Sequence, residues 1–197
     1  ALALTLITLV AGVALGGVYE ITKDPIAKQE AQAKAEAYEQ VFTDAAAFEA
    51  LEMDDTLTKT IRDQLDQEGY KAQSIEEVMR AEDQSGETLG YAFAVITSEG
   101  YGGDIRFSMG VQNDGTLNGI SILSIGETAG LGMNADTPAF KDQFVGKQVE
   151  KLQYTKNGAT QDDEINAISG ATVTTNAMTN GVNAGLCAFR VMEGGDQ

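Results

Sequence analysis

The first stretch of the chain, residues 1–19, reads ALALTLITLVAGVALGGVY and carries no charge. That is close to the roughly 20 apolar residues needed to cross a hydrocarbon core as a helix. A cleaved signal peptide would have a shorter apolar core, and a buried soluble helix would show a polar face, so a membrane span is expected. Pro25 then opens a second helical stretch, with Ala27, Ala31, Ala35 and Tyr38 at helical spacing. Residues 20–42 are therefore predicted to form a stalk. Residues 43–88 are polar, a lead-in predicted to hold short helices over 56–67 and 74–80, the first capped by Thr56.

The pattern changes at Leu89. Tyr91, Phe93, Val95 and Thr97 alternate as a strand, and Ile105, Phe107, Met109 and Val111 do so again after a glycine-rich break. Asn113-Asp114-Gly115-Thr116 is a hairpin turn, because Asp-Gly supplies the positive φ angles such turns need. A third strand is expected over 117–125, a helix near 138–145, a strand near 153–154 and a last helix over 173–192. The predicted class is α+β: an antiparallel sheet with flanking helices in the domain 89–192, preceded by one transmembrane helix and a stalk helix.

Composition narrows the chemistry. Of 197 residues, 30 are acidic and 13 basic, a formal net charge of −17. Such a surface repels nucleic acid. The flank after the apolar run mixes Glu20, Lys23, Asp24, Lys28 and Glu30, unlike a basic cytoplasmic flank, so the acidic domain is expected on the extracytoplasmic side. The chain has no His and a single Cys, Cys187. It can build no Ser-His triad, no His-ligated metal and no iron–sulfur cluster of its own, so any redox chemistry must come from a cofactor.

Two segments could hold one. Gly126-Glu127-Thr128-Ala129-Gly130-Leu131-Gly132-Met133 lets backbone approach a flat ligand, although spacing alone reads as an ordinary strand-to-helix loop. Ser169-Gly170-Ala171-Thr172-Val173-Thr174-Thr175 leads into the final helix. Its hydroxyls could be caps, or, being more than one cap needs, could mark an anion site where unpaired N–H groups and the helix dipole favour a phosphate.

Ser169-Gly170-Ala171-Thr172 resembles the flavinylation motif, Asp-x-x-Ser/Thr-Gly-Ala-Thr, of the FMN-binding domain family. It is most like the G subunit of Rnf-type ion-translocating ferredoxin:NAD oxidoreductases and is similar also to the C subunit of sodium-pumping NADH:quinone reductases. Asn166 stands at the motif's Asp, and Ala129 stands where the family usually has Pro in Glu127-Thr128-Ala129-Gly130-Leu131-Gly132. The segments Gly100-Tyr101-Gly102-Gly103-Asp104-Ile105 and Phe144-Val145-Gly146-Lys147 fit the same pattern. The resemblance implies FMN held covalently on Thr172 through a phosphoester, as an attachment point and not a catalyst. Ser169, Gly170, Ala171, Thr174 and Thr175 would surround the phosphate, and Tyr101, Glu127, Thr128, Gly130, Leu131 and Gly132 the ring. It also implies a flavin transferase for maturation, a lipid bilayer, and other membrane, iron–sulfur and flavin subunits as partners, with no independent catalysis. A non-redox extracytoplasmic binding module and a flavin-dependent sensor are the alternatives of other classes.

Overall fold

A computed structural model describes residues 2–194; Ala1, the first residue of the expected span, lies outside them. The elements run in order α1 (Leu2–Val41), β1 (Ala47–Ala50), α2 (Asp55–Gln67), β2 (Gln73–Glu82), β3 (Thr88–Thr97), β4 (Ile105–Gln112) and β5 (Leu117–Ser124). A 3-10 turn (Gly132–Asp136), α3 (Pro138–Lys141) and a second 3-10 turn (Asp142–Phe144) follow, then β6 (Gln153–Thr155), β7 (Glu164–Asn166) and α4 (Thr172–Gly194).

The chain divides into two compact units, residues 1–36 and 37–197. The first is the greater part of α1, a helix long and apolar enough to cross a membrane, with Leu4, Leu9, Val13 and Leu15 exposed. Pro25 lies inside this helix and does not open a second one. The expected span and stalk are a single element.

The second unit is built on a five-stranded antiparallel sheet in the order β1-β2-β3-β4-β5. Its alternation has a physical purpose on each face. Phe93, Val95, Ile105, Phe107, Met109 and Val111 point to one side and are buried against α4 residues such as Met178, Val182 and Leu186. Burying each such side chain contributes about 1.5–3 kcal/mol. The other side carries Ala92, Ala94, Ser108 and Gly110, small enough for Tyr38, Val41 and Phe42 at the end of α1 to lie on the backbone. There the Ser108 hydroxyl donates to the Ala37 carbonyl at 3.1 Å.

Two expectations fail in the segment 43–88. Residues 74–80 are not a helix but the middle of β2, and β1 precedes it, so this segment supplies two of the five strands. The helix former Glu77 sits on β2 because pairing with β3 overrides local propensity, and a bulge between Ile75 and Glu77 breaks the alternation that would have betrayed the strand. The cap of α2 is Asp54, whose Oδ1 accepts from the Leu57 amide at 2.7 Å, and not Thr56. The helix expected near 138–145 is one turn of α3 followed by 3-10 geometry. Strand β7, which pairs parallel with β6, had no prediction.

Candidate functional site

The site forms where the loop after β5 meets the start of α4. The loop turns tightly: the Thr128 carbonyl accepts from the amides of Leu131 (3.1 Å) and Met133 (3.2 Å). Gly130, at φ +74°, makes that turn possible, since an L side chain there is strained. The second turn, before α4, closes with the Ala171 amide donating to the Ile168 carbonyl at 3.1 Å, and Gly170 sits in it at φ +75°.

Between the two turns lies a cavity of about 500 Å³, lined on the loop side by Glu127, Thr128, Leu131 and Gly132, and on the helix side by Gly170, Ala171, Thr172, Val173 and Thr174. Tyr101, 76% exposed, stands at its edge. The volume falls in the usual range of small-molecule sites, about 300–1,000 Å³. Thr172 is the first residue of α4 and is half-buried. Its hydroxyl has no hydrogen-bond partner among the described residues, and the amides of Thr172, Val173 and Thr174 have none either. Three free donors at the positive end of a 23-residue helix, beside a free hydroxyl, suit a phosphate or its ester.

The other hydroxyls divide by role. Thr175 is buried away from the cavity; its Oγ1 accepts from the Ile168 amide (3.0 Å) and donates to the Ala171 carbonyl (2.9 Å), so it locks the turn. Thr174 donates to Glu127 Oε2 at 3.0 Å, tying helix to loop. Ser169 is exposed and, like Gly130, does not line the cavity. Val173, which sequence reasoning passed over, does line it and is 49% exposed; its place beside Thr172 was the available signal. Asn166, at the motif's Asp position, uses Oδ1 to accept from the Ala159 amide at 2.7 Å. An Asp would make the same bond, so the Asn keeps the local fold.

These features define a protein of the FMN-binding class: the family model "FMN-binding domain" matches residues 100–186, and the model "RnfG N-terminal region" matches residues 1–41. The G subunit of the Na(+)-translocating ferredoxin:NAD(+) oxidoreductase complex of Acetobacterium woodii is 32% identical, across 96% of this chain and 89% of its own. The G subunit of the proton-translocating ferredoxin:NAD(+) oxidoreductase complex of Clostridium ljungdahlii is 28% identical, across 98% and 91%. The chain belongs to this family of G subunits of Rnf-type complexes. Its fold is also that of the crystal structure of NqrC from Shewanella oneidensis, with a TM-score of 0.51 and 21% identity over 60% of this chain and 59% of that one.

The residues present fit FMN. The cavity has the size of a cofactor site, its helix end offers three unpaired amides for a phosphate, and its walls combine glycine backbone with the apolar side chains of Leu131 and Val173.

Proposed function

We propose that this chain is the membrane-anchored flavoprotein subunit of an Rnf-type complex, carrying one FMN esterified to Thr172 and passing electrons between partner subunits. The observation that carries the reading is the Thr172 hydroxyl, unpartnered at the cavity wall and flanked by free amides. In the attachment step, Thr172 Oγ1 forms a bond to the FMN phosphorus of a flavin dinucleotide, the diphosphate linkage breaks, and a nucleoside monophosphate leaves while the hydroxyl proton passes to solvent. A flavin transferase supplies that step, since no general base is bonded to Thr172 among the described residues.

Bound FMN supplies reversible electron transfer that no side chain of this chain can perform. The protein's part is to hold the phosphate at the start of α4, to wall the ring with Leu131, Val173 and the glycine loop, and to leave Tyr101 and one side of the cavity open to partners. With no second redox centre in its sequence, the chain takes its electrons from one neighbouring subunit and hands them to another. The apolar start of α1 anchors it in the bilayer with the acidic unit on the extracytoplasmic side, and confinement to the membrane raises the effective concentration of those partners. A covalent bond keeps the cofactor where no cytosolic pool could replace it.

Coexpression with a flavin transferase tests the reading by intact mass. The wild-type chain should gain the mass of one FMN less one water, Thr172→Ala should gain nothing, and Thr172→Ser should retain some of the increment. A wild-type spectrum without added flavin, or a fully loaded Thr172→Ala, overturns it.

A further inference from the structure

Glu127 is the one charged side chain that is buried among the described residues. It has no ion-pair partner there; its carboxylate is held by two neutral donors from distant parts of the chain. The Gly102 amide donates to Oε1 at 3.2 Å, and the Thr174 hydroxyl donates to Oε2 at 3.0 Å. One contact reaches the loop that carries Tyr101, the other the first turn of α4, two residues beyond Thr172.

The neighbouring glycines close around it. A Cβ on Gly132 would stand 2.5 Å from both Glu127 Oε2 and Thr174 Oγ1, and one on Gly100 would come within 2.8 Å of Glu127 Oε1. A Cβ on Gly102 would run into the Gly126 carbonyl. Gly132 is thus needed for the backbone to pass the carboxylate, while Gly100 and Gly102 are held to glycine first by the carbonyls of Gly103 and Gly126. Burying a carboxylate with no cation is costly, so a site that does so is spending stability on something other than folding.

We propose that Glu127 is a positioning residue for the flavin. It fixes the loop at 100–103 and the first turn of α4 against each other across the cavity, and it sets a carboxylate in the wall. The inference rests on the FMN reading above. Reduction adds negative charge to the flavin, and a carboxylate in a poorly solvated wall opposes that, so Glu127 holds the midpoint potential down.

Glu127→Gln separates charge from geometry. The amide oxygen can still accept from Gly102 while the NH2 donates to Thr174 Oγ1, whose hydrogen rotates away. In the flavinylated full-length protein, Glu127→Gln should move the midpoint potential to more positive values. Hydrogen exchange on the unflavinylated full chain reads the geometry alone. Glu127→Ala should speed exchange in the peptide containing Gly102 by about tenfold, and Glu127→Gln should restore slow exchange. Equal potentials in flavinylated wild type and Glu127→Gln, or equal Gly102 exchange in wild type and Glu127→Ala, overturn the proposal. A wild-type chain that takes up no flavin overturns the FMN reading instead, and the exchange comparison still decides the positioning role.

Discussion

Asn183 holds both backbone groups of Leu152: its Oδ1 accepts from the Leu152 amide at 2.7 Å and its Nδ2 donates to the Leu152 carbonyl at 2.9 Å. Both residues are almost wholly buried. The pair gives the irregular chain leading into β6 the hydrogen bonds a sheet neighbour would otherwise supply, and fastens it to the middle of α4. Asn183→Ala leaves a buried N–H and a buried C=O unsatisfied, at about 1–3 kcal/mol each. The expected loss in a urea titration is about 3 kcal/mol or more. A loss below about 1 kcal/mol would mean that water replaces the side chain.

Gly130 is demanding in conformation and not in space. It sits at φ +74°, and a Cβ there would have nothing within 4 Å. Gly130→Val should therefore cost about 1–2 kcal/mol through backbone strain alone. Gly130→Asn should cost clearly less, because Asn tolerates the left-handed region. Thermal melts of the two variants test this, and equal destabilisation would show that packing, not φ, governs the site.

Alkaline stability should report on Cys187. Burial, then the charge and hydrogen bond of Glu68, push its thiol up from 9.0 to about 12, with Arg190 opposing. The folded thiol keeps its proton where the unfolded one has lost it, so folded stability falls as pH rises from about 9 towards about 12. Glu68 moves the other way. Desolvation raises its pKa, but hydrogen bonds from Gln64, Arg190 and Cys187 outweigh it and leave the group below 4.5. Its contribution is present above the ordinary carboxylate range and lost as pH falls through the folded value. Cys187→Ser should lose less stability than wild type between about pH 8 and about pH 10.5, as read by denaturant midpoints. Parallel curves would remove Cys187 as the cause.

Topology is open to proteolysis. Protease added to intact spheroplasts should digest the acidic unit, leaving a short apolar fragment. Digestion that needs lysis first would place the unit in the cytoplasm.

What the sequence shows of this molecule follows from how local each signal is. Strands β3 and β4 were legible because Phe93, Val95, Phe107 and Met109 recur at every second position over a buried face. The bulged β2 was not, since only its pairing with β3 makes Val78 and Ala81 inward residues. At the site, the motif and the glycine loop were visible as segments, and the cavity brings most of their residues together. The split between Thr172, unpartnered at the wall, and Thr175, buried as a lock, was not visible, because both are Thr within one helical turn. Nor were the bonds of Glu127, which span 25 and 47 positions.

The strand order of the sheet also sets a timetable. Each strand pairs with the one before it, so β1 to β5 can zip together hairpin by hairpin as chain becomes available. The cavity cannot follow that schedule, because one wall belongs to the segment after β5 and the other to α4, the latest of the described elements to be synthesised. A chain that still lacks α4 has no cofactor cradle, however many of its strands have paired. On the proposed function, a flavin transferase would act only after α4 has packed beside the loop that follows β5, on a folded acceptor and not an emerging one.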